Sequence, residues 1–186
     1  MTRGVNQRVW LERWQVEDLP VLEKGNTPEM TRFVGGPESA QQIVARHAKF
    51  LRLWETSEAR MFSIHSSASV EPVGSVGYWK RQWRGRDIYE TGWSVHTAHQ
   101  GNGIAACALA ECLQFAADNG DRDPVLAFPR IDNTASNALC KRAGFTLIRE
   151  ADFEYPKGHS IRVNEWMFDL TYLRPPSQLN QTQGHV

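Results

Sequence analysis

The chain is poor in cysteine, carries no net charge and has no long apolar run, and each shortage closes off a class of function. Its three cysteines are an odd set in 186 residues, so no complete disulfide framework is expected. Cys107 and Cys112 lie on one predicted helix and point in different directions, which leaves a bridge between them out of reach. With Cys140 they read as small buried hydrophobes. Lysine plus arginine equals aspartate plus glutamate at 21 each. A dedicated nucleic-acid binder or a protein held on a membrane by a basic surface needs an excess of cations, so neither partner is expected. No apolar stretch approaches the roughly 18 residues of a membrane span. The opening Met-Thr-Arg-Gly-Val-Asn-Gln has no signal-peptide core, and the expected location is the cytoplasm. His96 and His99 with Cys107 match no closed zinc spacing, so no metal is expected.

What is present reads as one α/β domain over residues 1–172. Arg8 to Trp14 alternates like a strand, and Asp18 and Asn26-Thr27-Pro28 are helix-start signals. Ser39 to Glu55 carries Ile43, His47, Phe50, Leu51 and Trp54 at helical spacing, a stripe suited to packing on a sheet. Ala59 to His65, Val73 to Trp83 and Ile88 to His96 form a predicted three-strand meander, with turns at Ser66–Ser69 and Arg84–Asp87. Then come a helix (Ile104 to Asn119), a strand (Val125 to Ile131), a helix (Thr134 to Ala143) and two strands, Phe145 to Tyr155 and Ile161 to Leu170. This order predicts a central mixed, mostly antiparallel sheet flanked by helices. Pro175-Pro176 ends the pattern, and residues 173–186 are expected to form a disordered tail.

Gln100-Gly101-Asn102-Gly103-Ile104-Ala105 is the most informative segment. It joins a predicted strand to an Ala-rich helix through two closely spaced glycines. Glycines let a backbone approach a phosphate, and the free N–H groups of a first helical turn point at it with the positive end of the helix dipole. Such a nest suits the pyrophosphate of a nucleotide-containing cofactor. Gly101-x-Gly103-x-x-Ala106, with Asp121 and Asp123 downstream, also fits a relaxed dinucleotide pattern. That reading is the weaker one, because both aspartates precede the next strand and the preceding Tyr-Glu-Thr-Gly-Trp-Ser-Val is not a continuous apolar run.

Three blocks carry a family resemblance. Gln100 to Ala105 resembles the (Gln/Arg)-x-x-Gly-x-(Gly/Ala) signature of the GNAT superfamily of acetyl-CoA-dependent N-acetyltransferases. Asn133-Thr-Ala-Ser136-Asn-Ala-Leu-Cys140-Lys-Arg-Ala-Gly144-Phe145 is similar to that family's Asn-containing helix ending in Gly-Phe. Tyr89 to Val95 resembles the Glu-x-Gly-(Tyr/Trp) strand of the branch that includes ribosomal-protein N-terminal acetyltransferases. The resemblance spans roughly Arg8 to Leu170 and implies the GNAT fold, with direct acetyl transfer from acetyl-CoA to a primary amine. A catalytically weak acyl-CoA-binding sensor is the alternative. GNAT-like proteins are often dimers, so a homodimer is among the expected partnerships.

The resemblance also implies roles. Gln100, Gly101, Asn102, Gly103, Ile104 and Ala105 would hold the pyrophosphate, Asn133 and Val95 the pantetheine region. The Val95 N–H would also stabilise the oxyanion. Glu90 would take the proton from the ammonium, with His96 as the fallback base. Many family members place a tyrosine near the leaving sulfur, where this chain has Cys140; Ser136, one turn earlier, is the favoured hydrogen-bond donor. Beside these roles stand plainer ones: a salt-bridged strand glutamate, a helix cap at Asn133, a small packing serine. The run Lys80 to Arg86 reads as a solvated hairpin tip, with a site for an acidic acceptor or partner as the next reading. Trp10, Trp54 and Trp166 are candidate core residues, whereas Trp79, Trp83 and Trp93 either line an acceptor cleft or pack the sheet. Asn26 to Ser39 and Tyr155 to Ser160 are the segments expected to choose the amine.

Overall fold

A computed structural model describes residues 7–173. The elements in chain order are β1 (Val9–Arg13), α1 (Leu19–Gly25), α2 (Pro28–Thr31), α3 (Ala40–Leu53), β2 (Ala59–Ser66), β3 (Gly74–Trp83), β4 (Arg86–Val95), α4 (Ile104–Asn119), β5 (Val125–Ala127), α5 (Thr134–Arg142), β6 (Thr146–Glu154) and β7 (Ser160–Phe168). The strands form one seven-stranded sheet in the order β1-β2-β3-β4-β5-β7-β6. All neighbours are antiparallel except β4 and β5, which run parallel. The single α/β domain with its mixed, mostly antiparallel sheet is therefore as the pattern of elements predicts. The proposed tail lies outside the described residues except for Leu173.

Local chemistry explains where the helices begin and end. Ser39 and Gln42 form a reciprocal capping box at the start of α3, and Thr27 accepts the Met30 N–H with Pro28 in the first turn of α2. At the end of α5 the Phe145 N–H reaches the Cys140 carbonyl and the Gly144 N–H reaches that of Lys141. With Gly144 at φ 86° this is a Schellman cap, so the Gly-Phe pair has a structural purpose of its own.

The two faces of the sheet carry different layers. On one, α4 buries Ala108, Leu109, Cys112, Leu113 and Ala116 against Val76, Tyr78, Tyr89 and Val95. Each large apolar side chain buried there contributes roughly 1.5–3 kcal/mol. On the other, Trp14, Val21 and Met61 pack with Phe50 and Leu51 of α3. Trp14, not Trp10, is the buried tryptophan of the N-terminal strand region; its indole N–H donates to His47 Nδ1 at 3.1 Å. Trp10 is half-buried and stacks on His65 instead. A third cluster joins Ala151, Phe153 and Val163 to Trp83 and Phe128.

Several expected boundaries shift for identifiable reasons. The strand expected from Val125 to Ile131 stops at Ala127, just before Phe128-Pro129, and only an isolated bridge at Arg130 continues toward β7. The hairpin turn tightens to Arg84-Gly85, both with positive φ, and Arg86 already belongs to β4. The basic run is exposed at its tip, from Arg84 to Asp87, but three of its cations also have carboxylate partners. Lys80 binds Asp121 at 2.7 Å, Arg81 binds Glu90 at 2.5 Å and Arg84 lies 3.6 Å from Glu165. Among the cysteines Cys112 and Cys140 are buried as expected, whereas Cys107 is exposed; all are free.

His96, just past β4, ties the sheet to α1: its Nε2 lies 3.0 Å from the Val21 carbonyl, so this nitrogen carries the proton. Burial pushes its pKa below the usual 6.5, against the opposing pull of that carbonyl. The folded state therefore resists a proton that the unfolded chain accepts. Stability present above pH 6.5 is lost as pH falls through the depressed pKa. Thermal unfolding between pH 5 and 7.5 should show this decline in the wild type and a shallower one in His96→Gln. Equal slopes in the two proteins would exclude His96 as the source.

Candidate functional site

The site is built on a failure of two strands to stay paired. β4 and β5 meet only at Tyr89–Val125 and Glu90–Leu126. Beyond Glu90 the strands part while β4 runs on to Val95, which leaves a wedge in the middle of the sheet. Amides alternate sides along a strand. The Tyr89 N–H points to the β5 side, where it meets the Pro124 carbonyl, and the His96 N–H points to Val73 before β3. The amides of Trp93 and Val95 therefore face the wedge.

The loop after β4 closes the wide end of the wedge. Gln100 is fully committed to the protein: its N–H bonds the Thr97 carbonyl and its side chain donates to the Val95 carbonyl at 2.8 Å. It anchors the loop and has no backbone donor to offer a ligand. The Asn102 side chain turns back onto the His99 and Gln100 carbonyls. Hydrogen bonds within the fold resume with the Ala106 and Cys107 amides, both on the Gly103 carbonyl. Among the described residues the consecutive amides of Gly101, Asn102, Gly103, Ile104 and Ala105 have no partner. Gly101 and Gly103 have φ of 78° and 77°, and nothing lies within 4 Å of a side chain built on either. This open nest of donors at a helix start, with the positive end of α4 behind it, fits a pyrophosphate.

The N-terminal end of α5 is reached from β5, the other side of the wedge. Asn133 caps it, accepting the Ser136 N–H at 3.1 Å. The Ser136 side chain is half-buried, and its hydroxyl has no partner among the described residues. Cys140 is fully buried, and burial raises its thiol pKa to about 12. Sequence reading passed over Asn137, which fixes this helix. Its Nδ2 donates to the Arg130 and Asn133 carbonyls, both at 2.8 Å, while its Oδ1 accepts from Asn164 and Trp166.

Glu90 stands at the vertex, as the last β4 residue paired to β5. It faces away from α4, opposite Tyr89 and Val95, as strand alternation predicts. Its side chain is 13% exposed and holds Arg81 at 2.5 Å. Burial raises its pKa above the usual carboxylate value, while Arg81 and the Trp79 side chain pull the other way. The carboxylate is thus a better proton acceptor than a solvated one. His96 is the less suitable base, because its Nε2 is committed to Val21.

Val95 lies five residues from Glu90, roughly 17 Å along an extended strand. Trp93, whose amide also faces the wedge, stands nearer the vertex. The three tryptophans considered for a cleft go to three different clusters: Trp79 with the Trp14 cluster, Trp83 with Phe128 and Phe153, Trp93 against the α4 core. The two segments expected to choose the amine come together. A side chain built at Gly35 would lie 2.9 Å from Pro156. Asp121 and Asp123, which a dinucleotide reading needs for a ribose, instead bind Lys80 and Tyr89, and the Leu170 N–H. Among the described residues no group of three or more His, Cys, Asp or Glu side chains is placed to hold a metal ion, and no helix is long and apolar enough to cross a membrane.

Comparison with known proteins agrees with this geometry. The family described as "Acetyltransferase (GNAT) domain" matches residues 8–146. Among solved structures, an acetyltransferase from Salmonella typhimurium that modifies the N-terminal serine of a 50S ribosomal subunit protein is 21% identical, with a TM-score of 0.73 over 87% of this chain and 94% of its own. Spermidine N-acetyltransferase from Vibrio cholerae, solved with CoA and spermine, is 15% identical, with a TM-score of 0.70 over 88% and 96%. A putative acetyltransferase from Salmonella typhimurium, solved with acetyl-CoA, is 19% identical, with a TM-score of 0.70 over 87% and 94%. No curated protein matches the sequence. With the family's domain matched over most of its length, the chain belongs to the GNAT acetyltransferases, enzymes that take their acetyl group from acetyl-CoA.

Proposed function

We propose that the chain transfers acetyl from acetyl-CoA directly to a primary amine, either a protein N-terminus or a small-molecule amine, with the roles below. The wedge between β4 and β5, ending in a nest of unpaired amides, is the observation that carries this reading. The cytoplasm remains the proposed location.

The amides of Gly101 to Ala105 hold the pyrophosphate, and Gln100 and Asn102 shape the loop that presents them. Asn133 and the Val95 amide hold the pantetheine arm. The Trp93 amide is the donor for the thioester oxygen as it becomes an oxyanion, in place of the Val95 amide. Glu90 removes the ammonium proton, directly or through a water, because an alkyl amine with a pKa near 10.4 arrives protonated. The carbonyl carbon gains a bond to nitrogen and loses its bond to sulfur. Ser136 donates a hydrogen bond to the departing thiolate. Cys140 is a packing residue, since a fully buried thiol is a poor donor.

Each role has a measurable consequence. Gly103→Asp strains a position at φ 77° and sets a carboxylate in the anion nest. It should abolish the rise in unfolding temperature with acetyl-CoA, expected to be about 2–4 °C per kcal/mol of ligand stabilisation, without lowering the midpoint of the free protein greatly. A full ligand-induced rise in this variant would defeat the nest. Glu90→Gln should lower kcat by roughly 10²-fold with acetyl-CoA affinity retained. Wild-type kcat/KM should fall as pH drops through the raised Glu90 pKa, and that acid limb should vanish in Glu90→Gln. An unaltered limb in the variant removes Glu90 as the base.

A further inference from the structure

Glu165 on β7 is 5% exposed, and its Oε2 makes no hydrogen bond. Two arginines answer its charge from a distance: Arg84 Nε at 3.6 Å and Arg149 Nε at 3.7 Å. In both, Nε is the nitrogen of closest approach, and neither guanidinium makes a hydrogen bond among the described residues. Both side chains are about half exposed, at 51% and 52%. Their terminal nitrogens, the part of the fork that grips a carboxylate bidentately, are thus left to solvent side by side. Among the described residues no other carboxylate lies within ion-pair reach of either.

A buried ion cluster is seldom more stable than an apolar replacement. Arg84 also occupies the first position of a tight hairpin turn at φ 50°, where asparagine or glycine is at ease. Together these features leave two half-exposed cations on one buried carboxylate, with Arg84 lying over Trp83.

Their place relative to the vertex gives the pair a use. Glu90 is level with Leu126, Leu126 with Met167, and Glu165 lies on the same face two residues before Met167. Two strand spacings and two residues along β7 put the Glu165 backbone roughly 12 Å from that of Glu90, and Arg81, which binds Glu90, lies over Phe153 of the cluster that also holds Trp83 beneath Arg84, so the first few residues of an extended peptide span the two. We propose that Arg84 and Arg149, held by Glu165, bind acidic side chains of a peptide acceptor three or four residues after its N-terminal amine, so that the preferred substrate is an acidic protein N-terminus. This rests on the acetyltransferase reading of the same site.

The test uses two synthetic peptides with the same free N-terminus, one with glutamates at its third to fifth positions and one with glutamines. Fluorescence anisotropy with the CoA-saturated enzyme gives affinity, and CoA release gives kcat/KM. The wild type should favour the acidic peptide by roughly tenfold or more, less so as salt rises. Arg84→Gln with Arg149→Gln should erase that preference while the glutamine peptide is handled as before. Since this variant leaves Glu165 without counter-charge, the same pair is also made with Glu165→Gln, which removes the buried charge. Equal handling of the two peptides by the wild type overturns the proposal, as does an equal loss on both peptides in a folded variant. Arginine-dependent RNA binding without peptide discrimination overturns it too. Transfer to a simple alkylamine, run in parallel, separates the two claims. Lost discrimination with transfer intact sinks the arginine pair alone. Discrimination in anisotropy with no transfer to any amine sinks the catalytic reading and upholds the pair.

Discussion

The short parallel contact between β4 and β5 is the constraint on which the rest of the molecule depends. A parallel pair that continued to Val95 would consume the amides of Trp93 and Val95 in a ladder. Because pairing ends at Glu90 and Leu126, those donors stay available in a part of the sheet otherwise closed by packing. An unpaired backbone donor in a dry place costs about 1–3 kcal/mol, so the wedge is tolerable only if open to water or filled by a ligand with acceptors. The crossover helix α4 starts where the wedge is widest. Its free amides and the free strand amides thus stand at the two ends of one short loop, which suits an elongated cofactor with a charged end and an amide-bearing arm.

Holding a split sheet in shape takes reinforcement on both sides of the split. On the β4 side, Gln100 fastens the loop to the Val95 carbonyl and His96 fastens the strand end to α1. On the β5 side, where the strand is only three residues long, Asn137 joins the loop before α5 to two residues of β7. The hydrogen-bonding capacity of its amide is well used, which gives a buried network its rigidity. These residues need touch no substrate to matter, because a misplaced donor row would lose its alignment with whatever it serves.

Much of this was legible in the sequence, and the limits have physical causes. Helix α4 was readable to its ends, because the glycine loop starts it and an apolar stripe of small residues defines its buried face. The proline start of α2 was equally plain. What depends on pairing partners was not. The split between β4 and β5 leaves no mark on either strand, so the amide nearest the vertex could not be told from that of Val95. The ion pairs of the basic run Lys80 to Arg86 could not be read, because its partners Asp121 and Glu165 lie far along the chain. Alternation put Glu90 on the correct face, but only the fold shows it at the vertex with Arg81 for company. Nothing in the sequence showed that the Gln100 side chain anchors the loop to the Val95 carbonyl.

In the proposed reaction the departing thiolate faces α5, since β5 and the loop after it form the opposite side of the wedge. Two candidates for a hydrogen bond stand on that helix one turn apart. Cys140 is closed in by the core, and its thiol, with a pKa near 12, binds its proton more firmly than an alkyl thiol does in water, so it has little to give a thiolate. Ser136 lies nearer the capped end and is only half-buried. Its amide is taken by Asn133 and its hydroxyl is uncommitted. A hydroxyl donates a hydrogen bond without having to ionise, so it can steady a leaving sulfur that takes its proton from solvent. Under the proposed roles, the cysteine in a slot where many relatives carry tyrosine need not mean a silent site, because Ser136 can take up the stabilisation one turn toward the helix start.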